Sequence, residues 1–368
     1  MSICHNAFLK SKNYKKNKKM LAFEMLVRHF SRLWPQVERQ SLSQKMGKPM
    51  RTIPCGRLQM PMVGLGTWQA NDPKEFEAAL NQALDIGYRH IDTAAFYDNE
   101  HIIGKIINQW ICSEKLKRDD LFIVTKLPIQ GIHRDRVEKY LCQSLEKLCL
   151  DCLDLYLIHF PYGKTESTKE VVYEKADHKG IWQAMEKQVE AGRTKTIGIS
   201  NFSISQIDNI LKFCKIKPAN LQIENHVFLQ QPELVQFCHQ NGIGVTAYSP
   251  LGSPHFNTFL KHLGLKERNL VNVLTNPVVA EIAKKHCKSN AQVALRFLIQ
   301  RNLAVIPKST TPERLKSNFD LFDFCLSDQE MKKLETLDIG EEARICDWKF
   351  FPKIEEHPAY PFRKNKKC

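Results

Sequence analysis

Four polar side chains in the first half of the chain, Asp92, Tyr97, Lys126 and His159, are of the types that together can deliver a proton to a substrate oxygen. A free tyrosine, with a pKa of about 10, is a weak proton donor at neutral pH until a nearby cation lowers it. Lys126 could supply that charge, which makes Tyr97 the candidate general acid. A lysine closed off from water would itself lose its proton too easily unless a carboxylate offset the desolvation, and Asp92 is the candidate partner. His159 can donate a hydrogen bond to the substrate oxygen and fix its orientation. Taken singly, each also reads as an ordinary salt bridge, a capped polar residue or a structural histidine. His101, His226, His239 and His286 have no comparable context and are assigned to surface or packing roles. The four become a site only if the chain brings them together, so the elements that carry them decide the matter.

From about residue 51 the sequence alternates short β-rich apolar runs with segments of helical period. The strand runs are 63–66, 90–92, 121–126, 153–159, 196–200, 220–224, 244–248 and 303–306. Amphipathic segments lie near 73–86, 99–116, 134–149, 178–191, 204–214, 231–241, 289–301 and 311–320. Such alternation implies parallel strands with crossover helices, and eight units close most readily into an α/β fold of the (β/α)8 TIM-barrel kind. Pro73 suits a first helical turn, and Gly87, Gly192 and Gly242 fall where helices would stop before the next strand. Residues 51–54 and 57–60 flank Cys55-Gly56 and could form an N-terminal hairpin capping the barrel bottom. Long irregular stretches at 160–177 and 249–276 follow the fourth and seventh strands, and a further tail runs from 340 to the end. A barrel of this kind builds its site at the C-terminal ends of its strands. Asp92 ends the second strand, Tyr97 lies in the loop after it, Lys126 ends the third and His159 the fourth.

At these positions GYRHIDTAAFYDNEHIIG, FIVTKL and LYLIHFP, with VIPKST further on, resemble the signature stretches of the aldo-keto reductase superfamily, in its aldehyde and aldose reductase branch. The likeness covers roughly residues 51–362, and the tetrad Asp92, Tyr97, Lys126 and His159 matches without substitution. It implies reduction of aldehydes and ketones by hydride transfer from NADPH, with Tyr97 as acid; the alternative is an NADPH-binding regulatory or structural barrel without significant turnover. Gly64-Leu65-Gly66-Thr67-Trp68-Gln69 begins like a Rossmann fingerprint, but Gln69 stands where its third glycine belongs. The same GLGTW resembles the family's first barrel loop, which adds Gly66 and Thr67 to the cofactor set and puts Trp68 on the substrate wall with Tyr97, His159 and Phe160. By the same resemblance Ser200, Asn201 and Gln222 hold the nicotinamide carboxamide and Tyr248 stacks on its ring. Ser249, Leu251 and Ser253 in AYSPLGSP cover the pyrophosphate.

Lys308, Ser309, Thr311 and Arg314 gather two cations and two hydroxyls at a helix start, which suits the terminal 2′-phosphate of NADPH. Asn318 belongs to the same set, although Ser317 stands before it where relatives commonly carry Glu or Gln, and the shorter side chain is expected to loosen the adenine contact. Phe160 replaces a Trp common after the catalytic His, which keeps the wall aromatic but removes an indole N–H. Asn225-His226 likewise replaces the more usual Cys-His. With Trp68, Phe96 and Trp348 or Phe351, the pocket is expected to be apolar and to take lipophilic aldehydes or ketones.

The bulk composition limits other readings. The 368 residues are 43% hydrophobic and 26% charged, ordinary for a soluble globular chain, and no apolar run is long enough to be a transmembrane segment. Of the net charge of +14, residues 1–50 hold +9 and the last six residues +4, leaving +1 for 51–362. A nearly neutral body lacks the contiguous basic face that nucleic-acid binding needs. Twelve scattered cysteines read as free thiols, and Cys149 and Cys152, the single C-x-x-C, have no second pair at zinc spacing, so no metal is expected. Residues 1–50 read as a basic, disordered extension, or alternatively as a transit peptide, and 363–368 as a basic tail. The expected location is cytoplasmic, or mitochondrial if that transit peptide operates, and the family resemblance favours a monomer.

Overall fold

The eight β-rich runs each hydrogen-bond in parallel to the next, so the α/β alternation read from the sequence becomes a barrel. The computed structural model describes residues 51–166, 172–349, 351 and 353–362. The expected basic extension at 1–50 and tail at 363–368 lie outside the described residues. Ahead of the barrel, β1 (Thr52–Cys55) and β2 (Leu58–Pro61) pair antiparallel, the hairpin foreseen around Cys55-Gly56. The barrel strands are β3 (Gly64–Gly66), β4 (His90–Asp92), β5 (Phe122–Leu127) and β6 (Leu153–Ile158), followed by β9 (Thr194–Ser200), β10 (Asn220–Glu224), β11 (Gly244–Tyr248) and β12 (Ala304–Val305). β7 (Gly163–Lys164) and β8 (Tyr173–Glu174) form a small antiparallel pair outside the barrel, within a stretch that the sequence alone presents as irregular. Every residue of β5 and β6 is buried, as expected of parallel strands covered on both faces.

The seam between the first and last strands is short. Isolated bridges join Val63 to Val305 and Gly66 to Lys308, with Val305 N donating to Met62 O at 2.7 Å and Gly66 N to Pro307 O at 3.3 Å. Gly66 is required there because a Cβ would collide with the Ile306 carbonyl oxygen.

Helices α1 (Pro73–Ile86), α2 (Glu100–Cys112), α3 (Val137–Leu148), α4 (His178–Glu190), α5 (Ile204–Leu211) and α6 (Pro232–Gln240) cover the strands. They are followed by α7 (Phe256–His262), α8 (Pro277–His286), α9 (Asn290–Gln300), α10 (Pro312–Phe319) and α11 (Asp328–Glu335). In α1 the logic is explicit: Asp72 caps the start by accepting from Glu75 N, Pro73 opens the helix, and Gly87 at φ 118° ends it. Its buried residues Phe76, Ala79, Leu80, Ala83 and Leu84 form one apolar stripe at three- and four-residue spacing. Three helices lie outside the expected set. α7 interrupts the supposed 249–276 loop because Phe256 and Leu260, one turn apart, bury together. α8 starts at Asn276, whose side chain accepts from Val278 N and Val279 N ahead of Pro277, and α11 starts at a capping box of Ser327 and Glu330.

Two apolar clusters result. The larger fills the barrel and the layer between strands and helices; the smaller, including Phe160, Tyr162, Phe256, Leu260, Cys346 and Trp348, is assembled from post-strand loops, α7 and the C-terminal tail. Among the described residues no helix is long and apolar enough to cross a membrane.

Candidate active site

Asp92 and Lys126 project from β4 and β5, neighbouring strands whose register sets their side chains against each other. Lys126 Nζ donates to Asp92 Oδ1 at 2.5 Å and to Thr93 O at 2.9 Å, and lies 3.3 Å from Tyr97 Oη. Gln222, on β10, donates to the other Asp92 oxygen at 2.6 Å, so that carboxylate is held from two sides. Tyr97 sits in the turn after β4, its ring edge-on to His159 with centroids 5.9 Å apart. His159 follows β6 directly and stacks on Phe160 at 4.9 Å. The four sequence candidates therefore converge on one point.

Burial governs their charges. It pushes the Lys126 ammonium below its ordinary value, with the Asp92 and Glu100 charges opposing. His159 is held well below its ordinary value, first by burial and then by Lys126, so the ring is neutral at pH 7. Tyr97 corrects an expectation: Nζ lies where a cation should lower the phenol, yet the phenol is raised well above its ordinary value, by burial first and then by the Asp92 and Cys346 charges. The ion pair with Asp92 offsets the Lys126 charge. Tyr97 is consequently fully protonated through neutral pH.

These residues front a cavity of about 610 Å³. Asp92, Tyr97 and His159 line it, while Lys126 stands behind them with its side chain fully buried. Of the other candidates, Gly66, Thr67, Trp68, Phe160, Ser200, Asn201, Gln222, Tyr248, Ser249, Leu251, Ser253, Lys308, Ser309, Arg314 and Asn318 all line the same cavity. Thr311 does not: it is exposed ahead of α10, and its backbone N donates to Ser309 Oγ at 3.1 Å. The Thr67 hydroxyl donates to Asp92 O at 3.0 Å, which makes it a brace for the tetrad. Asn201 is oriented by donating to His159 O at 3.0 Å and accepting from Tyr248 Oη at 2.7 Å. Ser253 donates to Ser249 at 2.7 Å, and both residues adopt positive φ, at 40° and 48°.

Lys308 and Arg314 are exposed and form no ion pair among the described residues. Gln69 Nε2 is buried on the cavity wall without a hydrogen-bond partner among the described residues. Ser317 also reaches the cavity, with its hydroxyl 3.5 Å from that of Ser289. The aromatic wall is Trp68, Phe160 and Trp348; the Trp348 ring lies 5.2 Å from Phe160 and 6.3 Å from Trp68, and Phe96 adds a half-exposed edge at 6.4 Å.

Sequence reasoning missed Cys346, His255, Ser289 and Asn290, all on the cavity wall. Ser289 and Asn290 were findable, because Ser289 with Gln292 forms a capping box that starts α9. Cys346 carries no periodic signal. Cys149 and Cys152 are free thiols, and Cys149 merely closes α3 in a left-handed conformation.

The residue pattern has relatives. A family model described as "Aldo/keto reductase family" matches residues 62–339. Aldo-keto reductase family 1 member A1 of Xenopus tropicalis is 41% identical over 317 residues, covering 83% of this chain and 94% of its own length. The protein of the same name from Gallus gallus is 39% identical with the same coverage. Among solved structures, the aldose reductase of Schistosoma japonicum is similar at a TM-score of 0.75 and 39% identity, over 87% of this chain and 100% of its own.

Proposed function

The chain belongs to the aldo/keto reductase family, which makes it an oxidoreductase, and from that premise we propose that it reduces aldehydes and ketones to alcohols with NADPH. The observation that carries the reading is the reach of Lys126 Nζ to both Asp92 Oδ1 at 2.5 Å and Tyr97 Oη at 3.3 Å, at the wall of a cavity that His159 also lines. In this reading His159 donates a hydrogen bond to the substrate carbonyl oxygen and Tyr97 Oη then gives that oxygen its proton. Lys126 stabilises the phenolate left behind, and Asp92 keeps Nζ charged although burial opposes it. The bound cofactor supplies the hydride to the carbonyl carbon. Trp68, Phe160 and Trp348 exclude water from the reacting oxygen and select for apolar substituents.

The fit to NADPH rests on features of the cavity itself. Lys308 and Arg314 offer charge beside the start of α10 with no ion pair among the described residues, and Gln69 Nε2 offers a buried donor with no hydrogen-bond partner among them. Asn201, Gln222 and Tyr248 would hold the nicotinamide end, and Ser249, Leu251 and Ser253 the diphosphate. Arg314→Ala is expected to raise KM for NADPH about ten- to a hundredfold, the loss of one charge-assisted phosphate contact, while leaving KM for NADH nearly unchanged. Steady-state kinetics with both cofactors check this; equal loss for both would remove Arg314 from the 2′-phosphate. The activity itself is tested by following NADPH absorbance with aromatic and aliphatic aldehydes, steroids and sugars. Turnover, greatest with apolar aldehydes, supports the reading, and tight NADPH binding without turnover on any of them would overturn it.

A further inference from the structure

We infer that Arg268 is a positioning residue that locks the substrate wall to the loop following β11, so that substrate selectivity depends on a side chain outside the cavity. Arg268 lies between α7 and α8. Its guanidinium reaches the C-terminal tail three times: Nη1 donates to Ile345 O at 2.9 Å and Asp347 Oδ1 at 3.0 Å, and Nη2 to Arg344 O at 3.0 Å. The planar fork of arginine serves the three acceptors from two nitrogens held apart, a spread that the single ammonium nitrogen of a lysine lacks. Arg268 is itself anchored to α7, since its backbone N donates to Asn257 Oδ1 and its carbonyl accepts from Asn257 Nδ2, each at 2.9 Å.

The opposite face of the same tail segment is held by Glu224, at the end of β10. Its carboxylate is fully buried and accepts from Ile345 N at 2.9 Å and Cys346 N at 2.8 Å. Although burial alone would raise it, His226, Arg344 and the Cys346 amide hold Glu224 below the usual carboxylate range. Carbonyls of residues 344 and 345 and amides of 345 and 346 are thus fixed from two elements far apart in sequence. The segment leads directly to Trp348, whose backbone takes φ 59° and whose indole meets Phe160, Trp68 and Phe96. Cys346, inside the clamped segment, touches Ser249 at 3.9 Å, and Phe259 on α7 touches Trp68 at 5.3 Å. The loop after β11 and the aromatic wall consequently form one hydrogen-bonded and packed assembly, and Arg268 is its half-buried latch.

That this assembly selects substrate rests on the function proposed above; that it fixes Trp348 does not, and the experiment separates the two. Arg268 is one-third exposed and the Ile345 and Cys346 amides stay paired to Glu224, so Arg268→Met is expected to fold, with its unfolding midpoint lowered by no more than a few degrees for the three acceptors left to water. Steady-state kinetics should then show KM for a bulky aromatic aldehyde raised about tenfold, with kcat for a small aliphatic aldehyde within about twofold of wild type. Arg268→Lys, which keeps one donor for Asp347, should fall between. In the cofactor-free proteins, acrylamide quenching of the Trp348 emission, taken as the difference from Trp348→Phe in each background, should rise at least about twofold in Arg268→Met. That second reading needs no turnover, so an inactive wild type would sink the reductase proposal and leave this one measurable. Unchanged Trp348 quenching in Arg268→Met overturns the latch. An equal loss on small and bulky aldehydes overturns its role in selectivity.

Discussion

Tyr97→Phe is expected to lower kcat about a hundred- to ten-thousandfold while NADPH affinity stays within a few-fold of wild type. The substitution deletes one atom and little else. The Phe ring retains the edge contact with His159 at 5.9 Å and the position beneath Lys126 Nζ at 5.0 Å, so the neighbours keep their places. What is lost is the acidic proton that the tetrad presents at the cavity wall, since burial raises the Tyr97 phenol and lowers the His159 imidazolium, and Lys126 stands behind the wall. His159 is neutral at pH 7, so its one N–H is a far weaker acid than an imidazolium would be, although it can still orient the substrate oxygen. Kinetics with NADPH and an aromatic aldehyde, together with a fluorescence titration of NADPH, decide the point. A variant retaining more than about a tenth of kcat would mean that water or His159 supplies the proton.

Lys126→Met is expected to cost about 3 to 5 kcal/mol of stability as well as nearly all turnover. The Asp92 and Lys126 side chains are 3% and 0% exposed, so removing the ammonium leaves a carboxylate in the interior with Gln222 as its remaining side-chain donor. Neutralising both partners relieves that penalty, and the double variant Asp92→Asn, Lys126→Met should recover most of the stability and none of the turnover. Urea unfolding at neutral pH, run beside the activity assay, separates the two effects. A single variant that loses less than about 1 kcal/mol would show the pair behaving as a surface ion pair does, with no uncompensated charge left behind.

The barrel was legible because its strands are short apolar runs punctuated by helix caps and stops, and the tetrad was legible because its members stand at the ends of those runs. Gly87, Gly192 and Gly242 all take positive φ where stops were expected, and Pro73 opens α1. Asn276-Pro277 and Ser327 to Glu330 also carry helix-start signals, but the helices they open lie outside the eightfold alternation that dominates the pattern. α7 has no such excuse of pattern; at seven residues it owes its existence to what Phe256 and Leu260 meet in three dimensions. The direction of the Tyr97 shift was out of reach for a related reason. Spacing shows that a lysine is near a tyrosine, whereas the shift is set first by burial, which only the folded chain creates, and then by groups as remote as Cys346, 249 positions along the chain. Residues 344–348 show no period at all, and their placement follows from Glu224 and Arg268, neither of which advertises that task in its own neighbourhood.

The short seam of the barrel has a thermodynamic consequence. Its two sides come from opposite ends of the fold, and few backbone hydrogen bonds join them. Gly66 and Thr67 on one side and Lys308 and Ser309 on the other all face the same cavity. A ligand spanning that cavity would rivet the margins of the barrel together, adding non-covalent links where the ladder is reduced to isolated bridges. Resistance to heat and to proteolysis would then be a property of the liganded protein more than of the bare chain, rising with the logarithm of ligand concentration above its dissociation constant. Under starvation for that ligand, the same seam would be where the polypeptide first comes apart.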